Sequence, residues 1–218
     1  MNNELTKRIF TSLVLLPVLI YCSFYSGFYL ISFLSFFYFF AFYEIIKNTK
    51  KKLFIILTNM LLISAFFSFY HLRGETYYSL SILYWTLFTT FLSDIGGYIF
   101  GRVFKGKKLT KISPSKTYSG SIGSIIFSCI SLPVMNLFQQ YAFNEILINF
   151  YQLKFFIFTI LISVVCQVGD LYVSFWRRKI KIKNISNILP GHGGLLDRID
   201  GLIFVLLFIV TSKEIGLL

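Results

Sequence analysis

The segment "PGHGGLLDRIDGLIFVLLFIVTSK", residues 190–213, joins a polar stretch to an apolar one near the end of the chain. A helix that crosses the ~30 Å hydrocarbon core of a bilayer needs about 20 residues. The apolar part alone, Gly201–Ser212, is too short. The run from about Leu195 to Ser212 spans only if Asp197 and Asp200 lie below the membrane surface. This segment therefore predicts a helix that carries two acids into the membrane.

The composition excludes an ordinary water-soluble protein. Of the 218 residues 56% are hydrophobic and only 14% are charged, and the mean hydropathy is +0.73. A water-facing surface needs more charge than this. The three cysteines lie in apolar runs without a CxxC pair, so neither a disulfide framework nor a zinc site is expected. The first apolar run continues directly into the second, so we expect no removable signal peptide.

Six further apolar runs have spanning length. The sequence therefore predicts an all-α, polytopic integral membrane protein with about seven transmembrane helices. The six lie at about Ile9–Ser26, Phe28–Ile46, Leu53–Tyr70, Tyr77–Phe100, Gly120–Phe143 and Phe155–Trp176.

The basic residues predict the orientation of these spans. In a seven-span arrangement, all but three of the 21 lysines and arginines (Arg73, Lys154 and Lys213) fall on one side. Such a bias predicts a cytoplasmic N-terminus and an outer C-terminus, in the cytoplasmic (inner) membrane. It also accounts for the net charge of +12 without nucleic acid as a partner. We expect N-terminal transmembrane helices over residues 1–76, followed over 77–218 by a transmembrane region with two cytoplasmic loops, at 101–119 and 177–196.

All four aspartates lie in or at the ends of apolar segments. Asp94 and Asp170 precede the basic residues Arg102 and Arg177 by eight and seven positions, which places both roughly 10–12 Å below the cytoplasmic rim. Asp197 and Asp200 have to lie at a similar depth if the last helix spans the membrane. Their spacing of three residues puts them on one face of that helix. Carboxylates inside a membrane usually mark a functional site, although Asp200 could also simply pair with Arg198.

This cluster of acids favours a divalent cation and phosphate groups. Carboxylate oxygens suit Mg²⁺, which bridges to substrate phosphates. The chain has neither a P-loop nor an HExxH motif, so basic side chains and metal would have to hold the phosphates.

Two basic loops supply candidate phosphate ligands. The first, Gly101–Gly123, includes "SPSKT" and enters a helix near Ser119, where backbone amides can bind phosphate. Its Lys105, Lys107 and Lys108 are more simply explained by contact with lipid headgroups. In the second loop Gly193 and Gly194 permit a close approach of the backbone, and His192 is either a phosphate donor or a solvated turn residue.

These motifs resemble those of the phosphatidate cytidylyltransferase (CDP-diacylglycerol synthase) family. The resemblance rests on "SFWRRKIKIKNISNILPGHGGLLDRID" at 174–200, preceded in the same order by "SDIGGYIFGR" at 93–102, "ISPSKT" at 112–117 and "GDL" at 169–171. Arg177 and Asn184 stand where the family signature has lysine and aspartate. Trp176 replaces an aliphatic residue or phenylalanine, and Val173 stands where many members carry glutamate. Ser119 stands where an acid or amide is common.

The resemblance implies an enzyme that joins CTP and phosphatidic acid at a bilayer to give CDP-diacylglycerol and pyrophosphate. It implies Mg²⁺, with room for a second cation, and leaves a homodimer open. Asp170 and Asp197 are then the expected metal ligands, and the catalytic group is Lys116, Arg198, Asp200 and His192. The expected substrate-binding residues are Asp94, Ser113, Pro114, Thr117, Ser174, Arg178, Lys183, Gly193 and Gly194.

Three other functions remain open from the sequence. One is a related CTP-dependent lipid enzyme, such as a polyprenol kinase or another lipid cytidylyltransferase. Another is an ion transporter lined by aspartates, although its acids should continue into the outer half of the spans. The third is an inactive paralogue, because Val173 and Asn184 remove two acidic contacts.

Overall fold

The computed structural model describes residues 2–110, 113, 116–179 and 194–218, with residues 2–13 and Asp197 described by their backbone alone. In this part of the chain every regular element is a helix. The helices are α1 (Asn2–Tyr25), α2 (Gly27–Asn48), α3 (Lys52–Arg73), α4 (Tyr77–Val103), α5 (Tyr118–Ser128), α6 (Ser131–Phe143), α7 (Leu153–Lys179) and α8 (Leu196–Glu214).

The helices follow the predicted apolar runs, with one difference. The fifth run is broken at Cys129 and Ile130, so that it forms α5 and α6. Four stretches are long and apolar enough to cross a membrane, namely Gly27–Asn48, Lys52–Arg73, Tyr118–Phe143 and Leu153–Lys179. The prediction of an all-helical fold with several membrane-length helices is confirmed, while the count of seven spans and the side of the N-terminus stay predictions.

Contacts between helix ends define two ends of the molecule. At the end that we call the far end, the Arg73 guanidinium, which closes α3, donates to the backbone carbonyls of Ser23 and Phe24 in α1. His71 and Glu214 pair there at 2.8 Å, which joins α3 to α8. The last carbonyls of a helix lack partners within the helix, and Arg73 satisfies two of those in α1. The opposite end, which we call the basic end, holds the C-terminal ends of α2, α4 and α7 and the start of α8.

Helix α4 lies at the centre, where it contacts α3, α5, α6, α7 and α8. Buried hydroxyl pairs join it to two of its neighbours. Ser93 bonds Ser163 of α7 at 2.8 Å, and Thr89 donates to Ser131 of α6 at the same distance. Such hydrogen bonds help helices to associate in lipid, where the hydrophobic effect does not favour one apolar partner over another. They fix α4 against the helices that carry the remaining polar groups of the core.

Helices α4 and α5 approach closely because glycines face each other at their contact. A Cβ atom at Gly96 would lie 2.5 Å from the Cβ of Phe127 and would also meet the carbonyl oxygen of Gly123. Interfaces between membrane helices favour small residues because these let the backbones approach. The contact places the start of α5, and the loop before it, against the basic end of α4.

We expect Gly96→Ala to destabilise the protein by about 1–3 kcal/mol, because the added methyl group has no space in this contact. The matched control is Gly101→Ala on the same helix, where the new Cβ would meet Thr117 Oγ1 at a milder 3.2 Å. The thermal unfolding midpoint in detergent measures both variants. Equal midpoints for the two variants would contradict the close contact at Gly96.

Candidate functional site

A group of side chains with the donor atoms that a metal ion needs lies between α4 and α7. Cys166 and Asp170 are four residues apart on α7, so they share one face of that helix, and Asp94 of α4 lies opposite. The thiol of Cys166 lies 3.5 Å from Asp94 Oδ1. One ligand atom from each of Asp94, Cys166 and Asp170 lies within 4.8 Å of the other two. The spacing allows all three side chains to contact one ion.

Helix α8 brings a further carboxylate to this group, because the side chain of Asp200 lies beside that of Asp170. The next residue, Gly201, makes the approach possible. A Cβ atom there would lie 2.6 Å from both Asp170 Oδ1 and Cys166 Sγ. We call Asp94, Cys166, Asp170 and Asp200 the carboxylate cluster. It includes three of the four aspartates that the sequence predicts to meet at one depth.

Two cations balance the cluster. Lys116 Nζ lies 3.0 Å from Asp170 Oδ2, and Arg177 Nη2 lies 3.3 Å from Asp200 Oδ2. All four of these side chains are largely shielded, with exposed fractions between 14% and 27%. Carboxylates in a membrane protein are costly unless they are paired, so these cations offset part of the cost of placing Asp170 and Asp200 where water is scarce. The same cations are positioned to meet an anionic ligand.

The loop between α4 and α5 folds back as a short hairpin and thereby delivers Lys116. The Leu109 amide donates to the Lys116 carbonyl at 2.8 Å, and the Tyr118 amide donates to the Lys107 carbonyl at 3.1 Å. The buried Ser113 lies in its turn. Thr117 Oγ1 accepts the Gly120 amide at 3.1 Å and so caps α5. Thr117 therefore has a structural role in addition to its predicted one.

For the other predicted site residues, the structure gives the burial of four, the backbone of one, and no description of the rest. Gly194 is buried just before α8, Ser174 is half-buried on α7, and Arg178 and Arg198 are exposed. Asp197 belongs to the first turn of α8 by its backbone. Pro114, Lys183, His192 and Gly193 lie outside the described residues. The functional roles of all these residues stay predictions.

The sequence reasoning missed Cys166 as part of the site and gave no role there to Arg177 or Glu44. Cys166 lies one turn before Asp170, and that spacing was the available signal. Arg177 was noted as a basic residue of the rim and as a replacement for the signature lysine, and the structure pairs its charge with Asp200. Glu44 is fully buried, and its Oε2 accepts the amides of Leu195 and Leu196 at 2.9 and 3.2 Å. Its position, as an acid at the end of an apolar run, gave only a weak signal.

An apolar groove between α3, α7 and α8 opens beside the cluster. Val173 lines this groove, so its apolar side chain matches its surroundings. Phe204 of α8 packs on Tyr172, with 5.5 Å between ring centroids, and fits against Gly169. Because Asp170 and Asp200 are each within four residues of a groove residue, the groove begins about one helical turn from the carboxylates. Its other lining residues include Leu57, Leu61, Trp176 and Leu196.

Comparison with known proteins gives consistent matches. The chain is 38% identical over 143 residues to phosphatidate cytidylyltransferase of Staphylococcus haemolyticus, which covers 65% of this chain and 51% of that protein. It is 31% identical over 169 residues to the Bacillus subtilis protein of the same name, covering 76% of this chain and 60% of that protein. The Rickettsia conorii protein of that name is 32% identical over 124 residues, which cover 55% of this chain and 52% of that protein. The chain thus spans about half the length of several of the curated relatives that it matches.

The family match covers most of the chain. It extends over residues 46–215, a range that contains the whole carboxylate cluster and both basic loops. The chain therefore belongs to the cytidylyltransferase family.

Proposed function

We propose that this protein transfers CMP from CTP to phosphatidic acid, giving CDP-diacylglycerol and pyrophosphate. The observation that carries the proposal is the carboxylate cluster, balanced by Lys116 and Arg177, at the end of an apolar groove. This combination suits a reaction between a polyphosphate and a lipid with an anionic headgroup. The family match and the names of the relatives support the same reaction.

The reaction requires neutralisation of negative charge more than acid–base catalysis. An oxygen of the phosphatidic acid phosphate attacks the α-phosphorus of CTP and forms the new P–O bond. The bond from the α-phosphorus to the oxygen that bridges the β-phosphate breaks, and its electron pair leaves with pyrophosphate. Nucleophile, electrophile and leaving group are all anionic, so catalysis depends on positioning and on electrostatic stabilisation.

Within this proposal Lys116 supplies the best-placed positive charge. Its ammonium group already lies at the carboxylate cluster, and its flexible side chain can turn from Asp170 to a phosphate oxygen. Arg178, Lys183 and Arg198 are proposed to neutralise further phosphate oxygens. Ser113, Pro114, Thr117, Ser174, His192, Gly193 and Gly194 are proposed to shape the nucleotide pocket.

The donor set of the cluster fits a divalent cation. Asp94 and Asp170, with Asp200 beside them, offer the carboxylate oxygens that Mg²⁺ prefers, and Asp197 is proposed as a further ligand. A bound Mg²⁺ would neutralise phosphate charge and orient the nucleotide. Cys166 adds a thiol, a ligand that softer metals prefer.

We also propose seven spans in the cytoplasmic membrane, with the N-terminus and the site on the cytoplasmic side. The carboxylate cluster lies towards the basic end, where most lysines and arginines are found, and such residues favour the cytoplasmic side. Soluble CTP would then reach the cluster from the cytoplasm. The lipid substrate would reach it within its own leaflet, with an acyl chain in the apolar groove.

Purified protein with CTP, Mg²⁺ and phosphatidic acid should form CDP-diacylglycerol and release pyrophosphate, and Lys116→Ala should lower kcat by about 100-fold or more. Loss of one well-placed charge-stabilising group typically has an effect of this size. The matched control is Lys107→Ala, an exposed lysine of the same hairpin, which should keep near-normal activity. Labelled CTP followed by lipid extraction measures the product.

Two other outcomes, one in this assay and one in a separate flux measurement, would identify the alternative functions. Transfer of the γ-phosphate to a lipid would overturn the proposal in favour of a lipid kinase. Ion flux into proteoliposomes without turnover of CTP would overturn it in favour of a transporter.

When Cd²⁺ replaces Mg²⁺, we expect the thiolate of Cys166 to bind the metal ion. We expect an ultraviolet thiolate-to-cadmium charge-transfer band that Cys166→Ser removes, because thiolates bind soft metals strongly. Cys129→Ser is the matched control, since the thiol of Cys129 instead donates to the Ile125 carbonyl. A band that survives Cys166→Ser, or one that Cys129→Ser removes, would contradict a metal position between Asp94, Cys166 and Asp170.

Filling the apolar groove should impair use of the lipid and spare use of the nucleotide. Leu57→Trp places a large ring in the groove, so we expect a KM for long-chain phosphatidic acid raised about 10-fold, with the KM for CTP unchanged. The neighbouring Ile56 is absent from the groove lining and 55% exposed, so Ile56→Trp is the control. Equal KM values for the two variants would show that acyl chains do not use this groove.

A further inference from the structure

The strongest connection between the N-terminal helices and the site is made by Glu44 at the end of α2. Its side chain is 0% exposed. Its Oε2 accepts hydrogen bonds from the backbone amides of Leu195, at 2.9 Å, and Leu196, at 3.2 Å. These partners are 151 and 152 residues away in sequence. A contact of such long range, made by a buried carboxylate, joins two parts of the chain that the sequence pattern treats separately.

The start of α8 needs an acceptor of this kind. The first four amides of a helix have no carbonyl partner within the helix. The residue before α8 is Leu195, whose side chain cannot accept a hydrogen bond, and both Leu195 and Leu196 are buried away from water. The carboxylate of Glu44 therefore does what a capping serine or aspartate usually does. Its negative charge also suits the positive end of the helix dipole.

The turn held by Glu44 is the one that positions the carboxylate of α8. Asp200 lies four residues after Leu196, and Gly201 follows at the tight contact with Cys166 and Asp170. A helix moves as a unit over one turn, so a shift of Leu196 along the axis moves Asp200 relative to Asp170. Because Gly201 leaves no spare space, the closeness of Asp200 to Asp170 depends on where α8 begins.

We propose that Glu44 is a positioning residue for the carboxylate cluster, which holds the first turn of α8 so that the cluster binds its divalent cation tightly. The proposal rests on the proposed function for the role of the cation. It extends the site beyond the range of the family match, which begins at residue 46. It also means that α2, one of the N-terminal helices, contributes to the geometry of the site.

Three substitutions separate the charge of Glu44 from its geometry. Glu44→Gln keeps one carbonyl acceptor and loses the charge, Glu44→Asp keeps the charge and shortens the reach, and Glu44→Ala removes both. The matched control is Gln139→Ala. Gln139 is also fully buried, and it makes two hydrogen bonds of 2.9 Å to the backbone of Ile148 towards the far end. Both alanine variants thus remove a fully buried side chain that binds the backbone of a distant segment.

The first measurement is hydrogen–deuterium exchange of the amides from Leu195 to Gly201 in the purified, metal-free protein. Glu44→Ala should speed exchange there by about 10-fold or more, with Glu44→Gln between this variant and wild type. Gln139→Ala should lower the unfolding midpoint without a specific change in this segment. If Glu44→Ala alters these amides no more than Gln139→Ala does, the proposal is wrong.

The second measurement is the affinity for Mn²⁺, followed by electron paramagnetic resonance, together with the Mg²⁺ dependence of turnover. Loss of a residue that orients metal ligands typically costs 10–100-fold in metal affinity. We expect a rise of about 10-fold in the Mn²⁺ Kd and in the half-saturating Mg²⁺ concentration, with most of kcat regained at saturating Mg²⁺. Glu44→Asp should recover part of the affinity, and Gln139→Ala should leave it unchanged.

The two measurements also separate this proposal from the proposed function. If the wild-type protein makes no CDP-diacylglycerol, the proposed function fails, and amide exchange and Mn²⁺ binding still decide the role of Glu44. If Glu44→Ala folds too poorly to purify, Glu44→Gln is the deciding variant. An Mn²⁺ affinity and an α8 exchange rate equal to wild type in Glu44→Gln would overturn the proposal.

Discussion

The free-energy cost of burying a carboxylate shapes this molecule more than any other constraint. An ionised carboxyl group in a membrane protein loses its hydration, and only cations or hydrogen-bond donors compensate for the loss. Three of the described carboxylates at the basic end have such partners. Lys116 lies against Asp170, Arg177 against Asp200, and backbone amides against Glu44. These partners come from a loop, from α7 and from α8, so pairing the acids also assembles the helices.

Residue spacing predicted the parts of the site that depend on one helix or on helix length. The predicted depth of Asp94 and Asp170 followed from counting residues from the basic rim, and that of Asp200 followed from the length that the last helix needs to span. The structure brings these three side chains together. The apolar runs likewise predicted where helices lie. Spacing could not predict the break between α5 and α6, because Cys129 and Ile130 are unremarkable within an apolar run.

Contacts between distant parts of the chain were beyond the sequence pattern. No periodicity joins Glu44 to Leu195, since their contact depends on how α2 and α8 pack. The same holds for Gly201, which looks like an ordinary glycine after an aspartate until the nearness of Cys166 becomes known. Thr117 shows the opposite case. Its position before a helix is a recognisable capping signal, yet a motif containing it directs attention to a ligand instead.

The position of the groove bears on how one site serves a soluble and a membrane-bound substrate under the proposed function. Leu57 and Val173 line a largely apolar groove, and the carboxylates begin about one helical turn away. A glutamate in place of Val173 would add one more acid to this part of the protein. With valine there, the negative charge stays confined to the cluster, where Lys116 and Arg177 balance it. The boundary between apolar groove and charged cluster is therefore sharp, as a lipid with an apolar tail and an anionic headgroup requires.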